Sequence, residues 1–574
     1  MIKTITKGRD LMIIDTQKIT KLFTDKTVSN SKIAKLSGLT KTTIARYRDS
    51  EDYDTLKLSS IQALMRAYNQ IYNTPQTFNL ITDKWIPVFH NNSEEELSLK
   101  ELFELANEHD HMQLLGDSHP QGLALLRLLL AIVQTVYPNK DAQEKLKTQG
   151  SFDNKVMEYL LNNKSKFDMF GTQPFYQVTL DEFNSLVADK DKIKPGKTSG
   201  VVAIKQLNRT ISESENSPNI FAPKTNATKN DLTMSELVRW LITYQNFTGG
   251  TDKIKVKLDH NFKKSVGWIY KLDPVYIRGN SLFDTLMANL VNDDNTQKPI
   301  WDWEINEYVA QIETVPNNIA QLYTLQSRLI YIVWNEQTPT IYTAALPIPS
   351  LVEADIEPMT TWRISKKGER IPDMKSLNDI SNDLIFELDK ITGQYGNKII
   401  KNLATLPQKQ WYLVNTNYLN DGNATSQLPS FEYYSELPIT KELLRDDSEL
   451  IKLSRALSRI VKAYWQLQIN LNQLRGLSNA QQRANLLINQ FKEELKRLYY
   501  HQLYYNLNNW QIQLEDDIRS YVNVNVERLI SPSDLHRQRD EQPKTVFEAL
   551  TLFYNQVNKI LRKEENGDGQ EEER

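Results

Sequence analysis

The stretch Phe78-Asn-Leu-Ile-Thr-Asp-Lys-Trp-Ile-Pro-Val88 marks the predicted boundary between two parts of the chain. Two apolar runs, Leu80-Ile81 and Trp85-Ile-Pro-Val88, flank the polar Thr82-Asp-Lys84, and this order predicts a strand, a turn and a second strand. The residues before Phe78 have the pattern of a small helical module, whereas those after it have the pattern of a much larger domain. We therefore predict a multidomain chain whose main body begins at Phe78.

The composition is that of an ordinary globular protein that is too long for one hydrophobic core. Its 574 residues favour three or four domains, and 40% of them are apolar and 25% charged. The chain has no cysteine, which excludes disulfides and thiolate zinc sites and agrees with a cytoplasmic location. The most apolar run, residues 122–137, is shorter than a membrane span and contains Arg127, so we expect a buried core helix and no membrane association. The N-terminus lacks the pattern of a signal peptide.

The net charge of −3 hides an asymmetry between the two parts of the chain. Residues 1–77 carry 13 basic and 7 acidic side chains, a net charge of +6, so residues 78–574 carry −9. The excess is concentrated in residues 1–49, which have 11 basic and 4 acidic side chains, or +7. A compact positive segment of this kind favours a polyanionic partner such as nucleic acid.

Residues 1–73 are predicted to form an all-α helix-turn-helix domain. Ser29 or Asn30 can cap a helix through residues 32–36, and Thr40 can cap a second helix over residues 41–48. Between them, Gly38 allows the positive φ that lets two helices meet at a steep angle. Apolar side chains at helical spacing would form the core: Ile33, Leu36, Leu39, Ile44, Leu58, Ile61, Leu64, Met65, Tyr68 and Ile71.

This inward set leaves polar and basic side chains on the open face of the second helix. They are Lys41, Thr42, Thr43 and Arg46, which are side-chain types that reach phosphates and base edges in a major groove. The pattern resembles the helix-turn-helix domain of phage-repressor-like regulators, and with the basic surplus it predicts DNA binding. A module that docks another protein, or one that is vestigial, remains the alternative.

The last part of the chain has apolar residues at i, i+3, i+4 and i+7 in four successive segments. The segments are residues 440–475, 478–509, about 511–530 and 546–563. Four helices with short connections predict a bundle. The acidic residues 564–574 that follow are predicted to be a disordered tail.

Five features occur in an order that is similar to one known family. They are the opening at Phe78, the segment Phe167-Asp-Met-Phe-Gly-Thr-Gln-Pro-Phe-Tyr-Gln177, Phe247-Thr-Gly-Gly250, Tyr276-Ile-Arg-Gly-Asn280 with Leu-Phe-Asp-Thr-Leu-Met-Ala-Asn-Leu behind it, and the terminal bundle. Together they resemble the large subunit (CasA type) of the type I-E CRISPR Cascade complex. The resemblance covers residues 78–574, and such proteins usually begin at the equivalent of Phe78.

The fold class is therefore predicted as multidomain α+β. The predicted parts are an N-terminal all-α helix-turn-helix domain (1–73), a linker (74–77), a mixed α+β domain that recognises DNA (78–435), a C-terminal four-helix bundle (436–563) and the tail (564–574).

The resemblance implies a protein that binds DNA without catalysing a reaction and that needs no cofactor. Members of the family read the protospacer-adjacent motif (PAM) in double-stranded DNA and help to open the duplex for the guide RNA. The implied partners are PAM-containing DNA, the 5′ handle of the guide RNA, the backbone, small and handle-binding Cascade subunits, and a recruited nuclease-helicase.

The first site that the resemblance implies is a glycine loop after residue 246. Its members are Phe247, Thr248, Gly249, Gly250 and Lys253. Glycines allow a backbone to approach nucleic acid closely, and Lys253, Lys255 and Lys257 would share one face of a strand and could meet phosphates. A plain Gly-Gly turn followed by a solvated strand is the alternative.

The second implied site is a hairpin that wedges into the duplex beneath the PAM. Asp421-Gly422 between strand-like segments is a hairpin signal, and its tip places Asn423 and Ala424 where the family has a glutamine-bearing wedge. An ordinary surface turn is the alternative. A minor-groove lysine of the family aligns with acidic residues here, so Lys366 and Lys367 nearby are the candidate substitutes.

The long polar segment over residues 189–229 corresponds to a family loop that contacts the guide RNA or a neighbouring subunit. Its candidate residues are Lys205, Asn208, Arg209 and Lys224, and disorder in the free protein is the alternative. Signals for an enzyme are weak: His109-Asp-His111 lacks further metal ligands at a recognisable spacing, which disfavours a metal nuclease. The alternative function is a helix-turn-helix transcriptional regulator with a large sensor or partner-binding body.

Overall fold

The computed structural model describes most of the chain, and all structural statements concern the described residues. These are residues 2–6, 11–26, 28–50, 60–61, 63–65, 67–68, 77–106, 111–194, 201–202, 232–249, 254–262, 266–270, 272–335, 338–352, 354, 356–374, 383–407, 409–419, 431–440, 444–445, 448–505 and 510–566.

The N-terminal module contains both strands and helices. Its elements are β1 (Ile2–Thr6), β2 (Leu11–Asp15), α1 (Thr16–Thr24), α2 (Asn30–Ser37) and α3 (Lys41–Ser50), with further helical residues between 60 and 68. β1 and β2 pair antiparallel, from Ile2↔Asp15 to Thr6↔Leu11. The hairpin was not expected, so the predicted all-α character of the module is corrected to a β-hairpin followed by helices.

The turn between α2 and α3 has the predicted geometry. The Ser29 hydroxyl accepts a hydrogen bond from the Lys32 N–H and caps α2, whereas Gly38 ends it with φ +70°. The Thr40 hydroxyl accepts from the Thr43 N–H at the start of α3. A separate core holds the module together, formed by Ile19, Leu22, Phe23, Val28, Ile33, Ile44, Ile61, Leu64, Ala67 and Tyr68, with Leu36, Leu39 and Met65 packed against it.

The main body begins with a small sheet rather than with the predicted strand at residues 80–81. β3 (Ile86–His90) lies between β4 (Ser93–Leu97) and β5 (Gln113–Leu114). Leu80 and Ile81 are buried in a turn, because the Asn79 side chain accepts from the Ile81 N–H and the Trp85 indole donates to the Leu80 carbonyl. The Leu80 N–H donates to the Phe167 carbonyl, and the Leu80 and Ile81 carbonyls accept from the first two N–H groups of the following helix, so these residues do not form the predicted strand.

Ten α-helices lie in the described part of the body. They are α4 (Leu99–Leu105), α5 (His119–Val136), α6 (Lys140–Gln149), α7 (Asn154–Asn162), α8 (Leu180–Leu186), α9 (Met234–Phe247), α10 (Leu282–Asn289), α11 (Ile305–Gln311), α12 (Ile319–Tyr323) and α13 (Leu388–Thr392). Among the described residues α5 is the one helix long and apolar enough to cross a membrane, and 78% of it is buried inside the body. This is the core helix that the sequence predicted.

Two further three-stranded sheets carry the candidate site. The first has the order β6–β9–β8, with β6 (Val201–Val202), β8 (Arg328–Asn335) and β9 (Thr338–Ala345). The second has the order β13–β12–β7, with β7 (Val275–Arg278), β12 (Trp411–Leu419) and β13 (Phe431–Ile439). A separate hairpin pairs β10 (Trp362–Ile364) with β11 (Arg370–Pro372).

The four predicted C-terminal helices are present as α14 (Glu449–Leu474), α15 (Ala480–Tyr505), α16 (Trp510–Leu529) and α18 (Val546–Asn566), with the short α17 (Pro532–Leu535) before the last. Their aromatic residues meet in the centre: the Tyr464 ring stacks on Phe491 at 4.0 Å and lies edge-on to Phe553. Tyr499 is buried as well.

The bundle extends further towards the C-terminus than predicted. α18 continues to Asn566, and the Glu564 carboxylate is buried between Arg455 (3.0 Å) and Arg459 (3.3 Å) of α14. The predicted start of the tail at residue 564 is therefore wrong at Glu564, because the ion pairs offset the burial of its charge. β13 likewise runs to Ile439, past the predicted end of the body at residue 435.

Candidate nucleic-acid interface

The glycine segment, residues 247–249, begins with the last residue of α9, a helix that is buried along nearly its whole length. Phe247 and Thr248 are each 2% exposed, and Gly249 is buried as well. The predicted side-chain contacts of Phe247 and Thr248 with DNA are therefore not available in this structure, and these two side chains anchor the segment instead. Gly250 and Lys253 lie outside the described residues.

Buried hydrogen bonds hold the backbone carbonyls of the glycine segment in place. The Arg328 guanidinium, at the start of β8, donates to the Gly249 carbonyl at 2.6 Å. The Gly267 N–H donates to the Thr248 carbonyl at 2.8 Å, and a Cβ at Gly267 would overlap the Asn246 carbonyl. The segment thus rests on two neighbours that leave its backbone little freedom.

The chain re-enters the described structure at Ile254 beside the same sheet. Ile254 and Val256 are buried, whereas Lys257 on the alternate face is exposed. Lys255 is half-buried, and its ammonium donates to the Phe262 carbonyl at 2.6 Å. The predicted alternation is present, but Lys255 is turned towards the protein, so Lys257 is the exposed cation of this pair.

The predicted hairpin is present as β12 and β13, which pair from Trp411↔Ile439 to Leu419↔Phe431. Residues 420–430, including the predicted wedge residues Asn423 and Ala424, lie outside the described residues. The described pairing ends at Leu419↔Phe431 with eleven residues between the two, and the predicted turn at Asp421-Gly422 is among those undescribed residues.

One aromatic contact brings the two predicted DNA elements together. The Phe247 ring meets the Tyr418 ring edge-on, with centroids 5.2 Å apart. Tyr418 is the penultimate residue of β12, two positions before the hairpin connection, and its hydroxyl bonds to the hydroxyl of Ser118, the N-cap of α5. The base of the glycine segment and the base of the hairpin therefore share one packed contact.

The opposite strand of the hairpin is tied to α5 by an ionisable pair. The Glu432 carboxylate accepts from the His119 backbone N–H at 2.7 Å and lies 2.8 Å from the His119 ring nitrogen. Burial acts to raise the pKa of the Glu432 carboxyl, but the hydrogen bonds from His119 outweigh it and hold that pKa below its usual range. Glu432, which pairs with Tyr418 near the hairpin connection, is therefore favoured in its ionised form.

Lys366 and Lys367 lie at the tip of the β10–β11 hairpin, and both are exposed. Gly368 follows them with φ +82°, and the Ser365 hydroxyl accepts from the Lys367 N–H. Arg363 on β10 is also exposed and pairs with Asp373. The hairpin presents its lysines to solvent, as contact with phosphates would require.

In the N-terminal module, α3 presents the predicted face. Lys41, Thr42 and Arg46 are exposed, whereas Thr43 is half-buried and its hydroxyl bonds to Thr40. Arg48 points the other way, and its guanidinium donates to the Asn30 side chain and to the Leu22, Asp25 and Val28 carbonyls at 2.7–3.2 Å. Arg48 therefore stabilises the module and is not part of its open face.

The remaining predictions fall largely outside the described residues. This holds for the loop residues Lys205, Asn208, Arg209 and Lys224, and for His109 and Asp110. Across the described ranges no group of three or more His, Cys, Asp or Glu side chains could hold a metal ion. Arg328, Gly267 and Tyr418 were missed by sequence reasoning, because each acts through a neighbour distant in the chain and none belongs to a local motif.

Comparisons with known proteins agree with this architecture. A family model described as CRISPR-associated protein Cse1 matches residues 79–530, so the N-terminal module lies outside the match. No curated protein sequence gives a significant match.

Several solved structures have a similar fold. The crystal structure of Thermobifida fusca Cse1 has 20% sequence identity and a TM-score of 0.64, over 85% of this chain and 98% of that one. Thermus thermophilus CasA has 17% identity and a TM-score of 0.60, over 85% and 99%. A chain of a CRISPR RNA-guided surveillance complex has 13% identity and a TM-score of 0.59, over 86% and 99%.

Proposed function

This chain belongs to the Cse1 family of CRISPR-associated proteins, and we propose that it is the non-catalytic large subunit of a type I-E CRISPR surveillance complex. In this role it recognises the PAM in double-stranded DNA and promotes opening of the duplex so that the guide RNA can pair. The observation that carries the proposal is the contact between Phe247 and Tyr418, because it joins the glycine segment to the hairpin. A PAM reader and a duplex wedge have to act at adjacent base pairs.

The two elements would contact DNA in different ways, the glycine segment with its backbone and the hairpin with its tip. The glycine segment lacks side chains that project outward, so it would approach the minor groove with its backbone. The hairpin tip with Asn423 and Ala424 would enter below the PAM, where unstacking one base step costs about a few kcal/mol. The exposed Lys366 and Lys367 would add phosphate contacts beside this site.

The proposed partners follow the same role. They are the 5′ handle of the guide RNA, contacted through Lys205, Asn208, Arg209 and Lys224, the backbone, small and handle-binding subunits, and a recruited nuclease-helicase. The likeness to a chain of an RNA-guided surveillance complex supports this assembly. Such a complex acts on DNA in the cytoplasm.

A bulky residue at position 249 tests the proposal. In the reconstituted complex, Gly249→Leu should weaken binding to a PAM-containing duplex at least tenfold in a gel shift, because a side chain at this buried position would displace the backbone that is proposed to meet the groove. Binding to a duplex with a scrambled PAM, and co-purification with the other subunits, should stay unchanged. Equal affinity of the wild-type complex for both duplexes would refute PAM recognition.

We also propose a second DNA-binding function for the N-terminal module. The supporting observation is the exposed face of α3, which carries Lys41, Thr42 and Arg46. Arg48 is not part of that face, because it donates hydrogen bonds inside the module. In one role the module binds a regulatory DNA site, and only this part of the chain then acts as a transcriptional regulator. In the other role it adds affinity for any DNA duplex and speeds the search for a target. Deletion of residues 1–77 distinguishes the roles: lost repression indicates the first, slower target binding the second, and no change in either contradicts both.

A further inference from the structure

Arg328 is a fully buried cation directly beneath the glycine segment. One guanidinium nitrogen donates to the Gly249 carbonyl and another to the Ser327 carbonyl, both at 2.6 Å. Hydrogen bonds from a charged donor are roughly twice as strong as neutral ones. Displacing the Gly249 carbonyl would therefore break a charge-assisted hydrogen bond to a buried guanidinium, which makes the position of that carbonyl costly to change.

The strand rung that contains Arg328 contacts the chain on both sides of residues 250–253. Arg328 pairs with Ala345 across β8 and β9. The Ala345 N–H donates to the Ile254 carbonyl at 2.9 Å, and the Ala345 carbonyl accepts from the Val256 N–H at 3.1 Å. The place where the chain leaves at Gly249 and the place where it returns at Ile254 are thus fixed to the same rung.

Gln245 holds this rung against the end of α9. Its amide oxygen accepts from the Ser327 and Arg328 N–H groups, and its amide nitrogen donates to the Arg328 carbonyl, all at 2.9 Å. The side chain is buried, and it completes these bonds on one short stretch of backbone. The last turn of α9 and the first residue of β8 therefore form one rigid support.

We propose that Arg328 is a positioning residue for PAM recognition, which sets the location of the Gly249 backbone without touching DNA. The inference rests on the proposed function of the glycine segment. A backbone that is already in place loses little conformational entropy when it meets the groove, so the PAM-dependent part of the affinity benefits. Electrostatic attraction to phosphates does not depend on this placement.

The test compares two buried arginines in the full complex. Arg328→Gln removes the charged donor to Gly249, whereas Arg127→Gln removes a fully buried arginine that pairs with Glu357 instead. The readout is the ratio of affinities for duplexes with an intact and a scrambled PAM. We expect about a tenfold lower ratio for Arg328→Gln and an unchanged ratio for Arg127→Gln, although both variants should be less heat-stable.

Arg328→Lys should recover part of the ratio because it keeps a charged donor. A wild-type ratio in the folded Arg328→Gln complex overturns the inference. If these variants do not assemble, hydrogen exchange of residues 245–249 in the wild-type complex decides: protection that is already high without DNA supports it, and protection gained only on PAM binding overturns it. A wild-type complex without PAM preference refutes the proposed function itself, whatever Arg328 does.

Discussion

The α3 face and the glycine segment are both proposed to meet duplex DNA, yet they are built in opposite ways. On α3 the cations Lys41 and Arg46 point into solvent, and the core lies behind them. In the glycine segment Phe247 and Thr248 point inward, and the nearby Arg328 is buried and holds backbone. The first is a surface that would recognise DNA with side chains, and the second a surface that would offer backbone.

The difference shows that a basic residue near a binding element is not evidence of a contact. Arg46 and Arg48 are two residues apart on α3, but Arg48 satisfies carbonyls inside the module. Arg328 does the same for Gly249 in the body. Burial, rather than charge, decides whether an arginine binds a partner or supports the residues that do.

The largest effect is expected from Gly267→Ala, which tests how rigid the support of the glycine segment is. A Cβ there overlaps the Asn246 carbonyl, so we expect a loss of about 3 kcal/mol in the free energy of unfolding of the body. Urea denaturation followed by tryptophan fluorescence measures this, since all ten tryptophans lie beyond residue 84. An unchanged transition would mean that the segment shifts easily.

Gly38→Ala is the matched control in the N-terminal module. Gly38 has φ +70° but open space around its Cβ position, so the cost is backbone strain of about 1–2 kcal/mol. It should not alter the tryptophan transition of the body.

The next effect separates Arg48 from Arg46. Arg48→Ala removes the hydrogen bonds to the α1–α2 connection and should destabilise the module by about 2–3 kcal/mol, seen as faster hydrogen exchange in α1 and α2. Arg46→Ala should leave exchange unchanged and reduce the slope of log affinity against log salt for duplex DNA by about 1. The reverse assignment of these two outcomes would contradict the division between a support and a contact.

A smaller effect is expected at the contact between the two elements of the body. Phe247→Leu should cost about 1 kcal/mol of stability because it removes the edge-on ring contact with Tyr418 while keeping most of the buried volume. A double-mutant cycle with Tyr418→Leu should give a coupling of about 0.5–1.5 kcal/mol in unfolding and in binding to PAM-containing duplex. Additive effects would mean that the two elements act independently.

The smallest expected effect is the pH dependence of local stability at Glu432 on β13. Because the pKa of Glu432 is lowered in the folded protein, its stabilising contribution is complete above the unfolded value of about 4.3 and is lost as pH falls through the lower folded value. Hydrogen exchange of β13 should therefore increase in that acid range. Glu432→Gln should remove this dependence, and a dependence that survives the substitution would assign it to another group.

Much of the secondary structure was predictable because it depends on local pattern. The four bundle helices and the capped turn between α2 and α3 follow from apolar periodicity and from Ser29, Gly38 and Thr40. The strand expected at residues 80–81 is absent, because the backbone there bonds to Phe167, to the start of α4 and to the side chains of Asn79 and Trp85. The β1–β2 hairpin was missed, and the end of α18 was placed too early because the acidic run concealed the partners of Glu564.

The sequence by itself determined the four helices of the C-terminal bundle, the core helix α5, the family resemblance that the match over residues 79–530 confirms, and the basic character of α3. These features depend on residue spacing, composition and local hydrogen bonds, all of which involve residues close together in the sequence. The tertiary structure alone decided that Phe247 meets Tyr418 and that Arg328 holds Gly249. Those pairs are 171 and 79 residues apart, and long-range packing leaves no periodic signal in the chain.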